Sequence, residues 1–132
     1  MFSEKIKMMF GSKKVLELDF VEAGQTITHR GPIIIKGNVG AHAHIKSAGG
    51  VEVWGDVGRA SILETKKRAF IFGDVGCDAT LRSKDDMVVL GKVDNGAVLS
   101  SGGVIDVRGP VGRCARLTVP FVIRAEPFVC IL

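Results

Sequence analysis

Apolar residues recur along this chain at every sixth position. Counting forward from Val39 gives Ile45, Val51, Val57, Leu63, Ala69, Val75, Leu81, Met87, Val93, Leu99, Ile105, Val111, Leu117, Ile123 and Val129. Counting backward gives Ile33, Ile27 and Val21, and no polar residue interrupts the series. A helix does not account for this, because six residues is not a whole number of 3.6-residue turns and the interspersed glycines weaken a helix. Short strands do account for it, each aiming one or two side chains inward before a corner starts the next.

A longer period contains the short one. Gly37-Asn38-Val39-Gly40 returns as Gly55-Asp56-Val57-Gly58, Gly73-Asp74-Val75-Gly76, Gly91-Lys92-Val93-Asp94 and Gly109-Pro110-Val111-Gly112, always 18 residues on. Three strands per 18-residue coil follow, with three different faces. The first reads Gly-x-Val-Gly. The second reads Ala43-x-Ile45-x-Ser47, Ser61-x-Leu63-x-Thr65, Ala79-x-Leu81-x-Ser83 and Ala97-x-Leu99-x-Ser101. The third reads Val51-x-Val53, Ala69-x-Ile71, Met87-x-Val89 and Ile105-x-Val107. The predicted fold is all-β: a single-stranded, triangular parallel β-helix whose inner aliphatic columns form one continuous core. At ~4.8 Å per rung, six to seven coils make a rod roughly 30 Å long.

The ends depart from the pattern. Residues 1–14 lie outside the repeat as a tail, and residues 15–132 form the β-helix domain. Phe2, Ile6 and Phe10 among Lys5, Lys7, Lys13 and Lys14 suit either a frayed terminus or an amphipathic anchor on an anionic membrane surface. Val15 to Phe20 is expected to be a strand with Leu16, Leu18 and Phe20 inward, as a cap rather than a regular rung. At the other end, Phe121, Val122, Phe128, Val129, Ile131 and Leu132 make an apolar segment interrupted by Pro120 and Pro127. That segment either caps the open last rung or pairs with another chain.

The outside of the third face is the most informative surface. If Val51, Val53, Ala69, Ile71, Met87 and Val89 point in, then Trp54, Phe72 and Leu90 form an outward column with Phe70 and Val88 beside it. These five side chains would exceed ~400 Å² of apolar surface, more than a soluble monomer usually leaves bare. A lateral homodimer interface, cover by the N-terminal tail, and a bulge that shifts the register are the three accounts of it. At the corner between the second and third faces, the 18-residue offset puts Lys67 over Asp85 and Arg68 over Asp86. The basic triplet Lys66-Lys67-Arg68 is thereby expected to be paired, in preference to forming a phosphate site.

Composition narrows the chemistry. The chain has 132 residues, 46% hydrophobic, with 17 glycines and a formal charge of +4. One domain is expected at that length, and glycine at this level without a three-residue period excludes collagen. No tyrosine is present and the charge is mixed in sign along the chain, so nucleic acid is not an expected partner. Cys77, Cys114 and Cys130 follow no metal-ligand spacing and suit a reduced, cytoplasmic setting. No signal peptide or membrane span is evident, so any membrane association rests on the tail. His42 and His44 should both point outward, with His29 one rung away beside residue 47 and no third ligand, so no metal is expected. Gly-Asp-Val-Gly is followed by no helix N-terminus to hold an anion, and coils without insertions offer no cleft. No catalytic residue and no cofactor are therefore assigned.

The repeat Gly-x-Val-Gly-x-x-Ala-x-Ile-x-Ser-x-Gly-Gly-Val-x-Val at 37–53 resembles the FapA-type repeat domain. Val-Ile-Asp-Val-Arg-Gly-Pro-Val-Gly-Arg at 104–113 is similar to the C-terminal domain of the septum-site inhibitor MinC. The bactofilins, polymer-forming bacterial cytoskeletal proteins, share the small size and a start like Met1-Phe2-Ser3. The resemblance implies a right-handed coil and a non-enzymatic scaffold acting through self-association, with other bacterial proteins as further partners. The hand does not follow from the period. A left-handed hexapeptide-repeat enzyme working as a trimer, of acyltransferase or carbonic-anhydrase type, stays open as the alternative, as does an adaptor module.

Overall fold

The computed structural model describes residues 15–119 and, by backbone alone, 123–124 and 130–131. Every strand pairing is parallel and no helix is present among them. The strands are β1 (Leu16–Leu18), β2 (Thr26–His29), β3 (Ile33–Ile35), β4 (His44–Ser47), β5 (Val51–Val53), β6 (Ile62–Thr65), β7 (Ala69–Ile71), β8 (Thr80–Ser83), β9 (Met87–Val89), β10 (Val98–Ser101), β11 (Ile105–Val107), β12 (Arg116–Thr118), β13 (Ile123–Arg124) and β14 (Cys130–Ile131). Odd-numbered strands stack into one seven-stranded sheet and even-numbered strands into another. The remaining face is a ladder of single-residue bridges, Val21↔Val39↔Val57↔Val75↔Val93↔Val111. The chain is thus a parallel β-solenoid.

Alternation decides what is inside. The six-residue series from Val21 to Leu117 is buried without exception. Each four-residue strand of the even sheet ends on an inward polar residue, and His29, Ser47, Thr65, Ser83 and Ser101 are all buried. The hydroxyls in this column satisfy corner backbone that stacking leaves unpaired. Ser47 donates to the Gly31 carbonyl (2.8 Å) and accepts from the Gly49 N–H (3.0 Å). Ser101 donates to the Asp85 carbonyl (2.7 Å) and accepts from the Gly103 N–H (3.0 Å). No buried side-chain polar atom among the described residues lacks a partner, as a buried polar column requires.

The Gly-Asx-Val-Gly corner has its own ladder. Asn38 Oδ1 accepts the Asp56 N–H, Asp56 Oδ1 accepts the Asp74 N–H, and Asp74 Oδ1 accepts the Lys92 N–H, each at 2.8–2.9 Å. The next residue in the column is Pro110, which has no N–H, so Lys92 in the acceptor position leaves nothing unmet. The preceding glycine is required by close approach. A Cβ at Gly73 would lie 2.2 Å from Asp56 Oδ1 and 2.5 Å from the Gly55 carbonyl oxygen. On the far side of this face, Gly24, His42, Ala60, Asp78, Gly96 and Cys114 occupy one column at 18-residue spacing, all with φ between 56° and 74°.

Both ends correct the expected pattern. β1 is a regular rung rather than a separate cap, with Leu16↔Ile33 and Leu18↔Ile35 in register. Phe20, expected inward, is 47% exposed. Its corner holds only Asp19 and Phe20 between Leu18 and Val21, where the next coil has Lys36, Gly37 and Asn38. The missing residue makes that offset 17 and puts Phe20 in the corner itself, while Val15, next to inward Leu16, faces solvent by ordinary alternation. At the other end Leu117 pairs with Ile131, 14 residues on, so the last coil is shorter than the repeat.

Candidate functional site

The odd sheet places its even-numbered positions outside, in two columns. Register pairs Ile34, Glu52, Phe70, Val88 and Asp106 on successive rungs. Two residues further along each coil lie Lys36, Trp54, Phe72, Leu90 and Arg108, whose N–H groups in turn donate to the rung below, as Phe72 does to Val53 (2.8 Å) and Leu90 to Ile71 (2.9 Å). Trp54 is 47%, Phe72 44% and Leu90 39% exposed, while Phe70 and Val88 are half-buried beside them. The register shift is thereby excluded, because the strands run without a bulge from β3 to β11. The rings of Phe70 and Phe72 tilt against each other at a centroid distance of 4.8 Å.

Polar groups frame this patch at both ends. Below it, the Trp54 indole N–H donates to Glu52 Oε1 (2.6 Å) and Lys36 meets Glu17 at 3.5 Å. Above it, Arg108 Nε donates to Asp106 Oδ1 at 3.1 Å. Each rung therefore carries a matched pair two residues apart: Glu52 with Trp54, Phe70 with Phe72, Val88 with Leu90, Asp106 with Arg108.

The other sequence-derived positions fare differently. Lys67 and Arg68 do not pair with Asp85 and Asp86. The register offset is as expected, but Asp86 Oδ1 turns along the column and accepts the Val104 N–H (3.0 Å), as Asn95 Oδ1 does for Arg113 (2.9 Å). The corner backbone N–H takes that carboxylate in place of the exposed Arg68 guanidinium. His42 and His44 both face outward, yet His42 lies in the positive-φ turn and His44 on β4, where it contacts Glu64 Oε1 at 3.3 Å. His29 pairs with Ser47 by register and is buried on the opposite side of the strand. Among the described residues no group of three His, Cys, Asp or Glu is placed to hold a metal. Cys77 and Cys114 are unpaired, and they line a hollow of about 540 Å³ with Arg59, Asp78, Asn95 and Arg113.

Phe2, Ile6 and Phe10 lie outside the described residues, as do Phe121, Val122, Phe128, Val129 and Leu132; of the C-terminal set only Ile131 is placed, by backbone, in β14. No helix among the described residues is long and apolar enough to cross a membrane. Sequence reasoning missed the Asx ladder and the positive-φ column. The ladder had a visible signal, an Asn or Asp after the first glycine in three successive coils. Comparison of the chain with protein-family models, curated proteins and solved structures finds no match to any of them.

Proposed function

We propose that this β-solenoid is a non-enzymatic, self-assembling structural protein whose rods associate side by side through the outer face of the odd sheet. The observation that carries the reading is the outward column Trp54, Phe72 and Leu90, with Phe70 and Val88 beside it. Uninterrupted coils between β2 and β12, and the resemblance of residues 37–53 and 104–113 to self-associating repeat families, support the same reading.

The frame around the patch favours a second copy, lying parallel. With a two-fold axis along the rods, every rung meets itself and each column faces the other. Phe70 then meets the partner's Phe72, Val88 the partner's Leu90, Arg108 the partner's Asp106, and the Trp54 indole N–H the partner's Glu52. An antiparallel pair centred on Phe72 instead opposes Lys36 to Arg108 and buries Glu52 against Val88. Shifted by half a rung, it opposes Glu52 to Asp106. Like charges across an interface cost several kcal/mol, so the parallel arrangement wins. A face one short strand wide and roughly 30 Å long is at the small end of specific interfaces, so the association is sought at micromolar concentrations.

Sedimentation equilibrium tests the association. Trp54→Asp or Phe72→Asp should cost at least about 2 kcal/mol, roughly 30-fold in dissociation constant. A wild-type monomer throughout the micromolar range, or a dimer indifferent to both substitutions, removes the reading. Orientation has a separate test. In chains with all three cysteines changed to serine, Arg108→Cys should be linked to its own copy by a short bismaleimide. In an antiparallel pair the two positions are four rungs, ~19 Å, apart and mixed Lys36→Cys and Arg108→Cys chains would link instead.

A further inference from the structure

A second surface lies at the corner where the even sheet hands over to the odd one. A hollow of about 590 Å³ is lined there by Arg30, Lys46, Lys66, Arg82 and Lys84, with Glu64 as the one carboxylate. Register orders these charges along the rod. Lys46, Glu64 and Arg82 are neighbours in one column. Arg30, Ala48, Lys66 and Lys84 follow one another at 18-residue steps in the next, where the N–H of Ala48, Lys66 and Lys84 each donates to the rung below. Ala48 is the small member, and its short side chain opens the hollow between Arg30 and Lys66.

Of these cations, Lys66 and Lys84 are the ones left without an acid among the described residues. Glu64 is shared by His44 (3.3 Å), Arg82 (3.7 Å) and Lys46 (3.9 Å). Lys66 and Lys84 form no ion pair among the described residues, and Asp86, the acid best placed by sequence to offset the corner, is turned to the Val104 N–H. Lys66 and Lys84, with Lys46 and Arg82 sharing the single carboxylate Glu64, thus line a space within the range of small-molecule sites. Cation spacings follow the rungs: ~5 Å from Lys66 to Lys84, ~10 Å from Arg30 to Lys66. A single carboxylate does not bridge such positions. Phosphate groups do, since each offers several strong acceptor oxygens to a guanidinium fork or an ammonium. The one aromatic ring in its lining, His29, is buried, so the hollow offers no open stacking surface for a nucleobase.

We infer that this corner binds a ligand carrying two or more phosphate groups, the phosphates running along the rod axis over Lys66 and Lys84. The inference is independent of side-by-side association, because the apolar columns and this corner are separate surfaces. Calorimetric titration with tripolyphosphate at low salt is the test, repeated in the Phe72→Asp background to keep self-association out of the signal. Lys66→Glu and Lys84→Gln should each weaken binding, the former by about tenfold or more, while Lys92→Glu on the Gly-Asx face changes it by no more than about twofold. Co-sedimentation with phosphatidylcholine vesicles doped with phosphatidylinositol bisphosphate separates the sources. Vesicle binding that tripolyphosphate competes away supports a lipid headgroup, and tripolyphosphate binding without vesicle binding supports a free phosphate compound. Absence of binding in both experiments, or equal loss in Lys66→Glu and Lys92→Glu, overturns the site, the latter because net charge alone would then explain it.

Discussion

Phe72 and Gly73 are neighbours in the chain and opposites in what surrounds them. Phe72 stands at the centre of an apolar patch that no described part of the chain covers, and its side chain is 44% exposed. Gly73 is enclosed by the rung below, where even a methyl group would strike Asp56 Oδ1 and the Gly55 carbonyl. One face of the solenoid is closed by backbone and Asx hydrogen bonds and asks nothing of a partner. The other is saturated in its own hydrogen bonds yet leaves hydrocarbon in water. The period of 18 residues hides this difference, because stacking demands the same spacing from both. Position within the coil, rather than membership of the repeat, separates residues that hold the rod together from those that present a surface.

Substitutions can sharpen that contrast. The largest effect is expected from Gly73→Val, which forces branched carbons into backbone atoms that cannot withdraw and should destabilise the fold by about 3 kcal/mol or more. Thermal denaturation reads it directly, and a variant as stable as wild type would mean the corner is looser than its contacts imply. Next comes Phe72→Asp, whose loss of about 2 kcal/mol should appear in association and leave the unfolding midpoint of the monomer nearly unchanged. Asp74→Ala should cost about 1 kcal/mol of stability, since the Lys92 N–H loses its acceptor but remains open to water. Association should not change, so a coupled effect would join the two faces. The smallest effect is a gain: Ala60 sits at φ 56°, and Ala60→Gly should raise stability by about 0.5 kcal/mol as the Cβ clash is relieved.

How legible the chain was depends on which force decides each position. The inward columns were readable because burial of Ile45, Leu63 and Leu81 leaves a polar residue no place in the series. Trp54, Phe72 and Leu90 followed by alternation alone. Phe20 did not, because a one-residue deletion in a corner leaves no mark in a stretch of six residues with hydrophobics at alternate positions. Asp85 and Asp86 were misassigned through the assumption that a cation one rung away will pair with each. For Asp86 a backbone N–H is already in place and costs no side-chain entropy, so it prevails over Arg68; for Asp85 an exposed pair with Lys67 gains too little to form. The positive-φ column was concealed by Ala60 and Cys114, residue types that give little warning, although Gly24, His42, Asp78 and Gly96 share it.

The Asx ladder carries an implication for how such a rod changes length. From Asn38 to Asp74 each corner lends an acceptor to the coil after it, so these coils are interchangeable parts with matching couplings. Removing a whole unit, for instance residues 56–73, would set Asn38 beneath Asp74 and Gly55 beneath Gly91 with every donor still facing an acceptor. Removing seventeen would leave one residue over for a corner to absorb, as the corner at Asp19 and Phe20 absorbs a deficit of one with Val21 still inward. The whole coil is therefore the increment in which this architecture can grow or shrink without disturbing a corner.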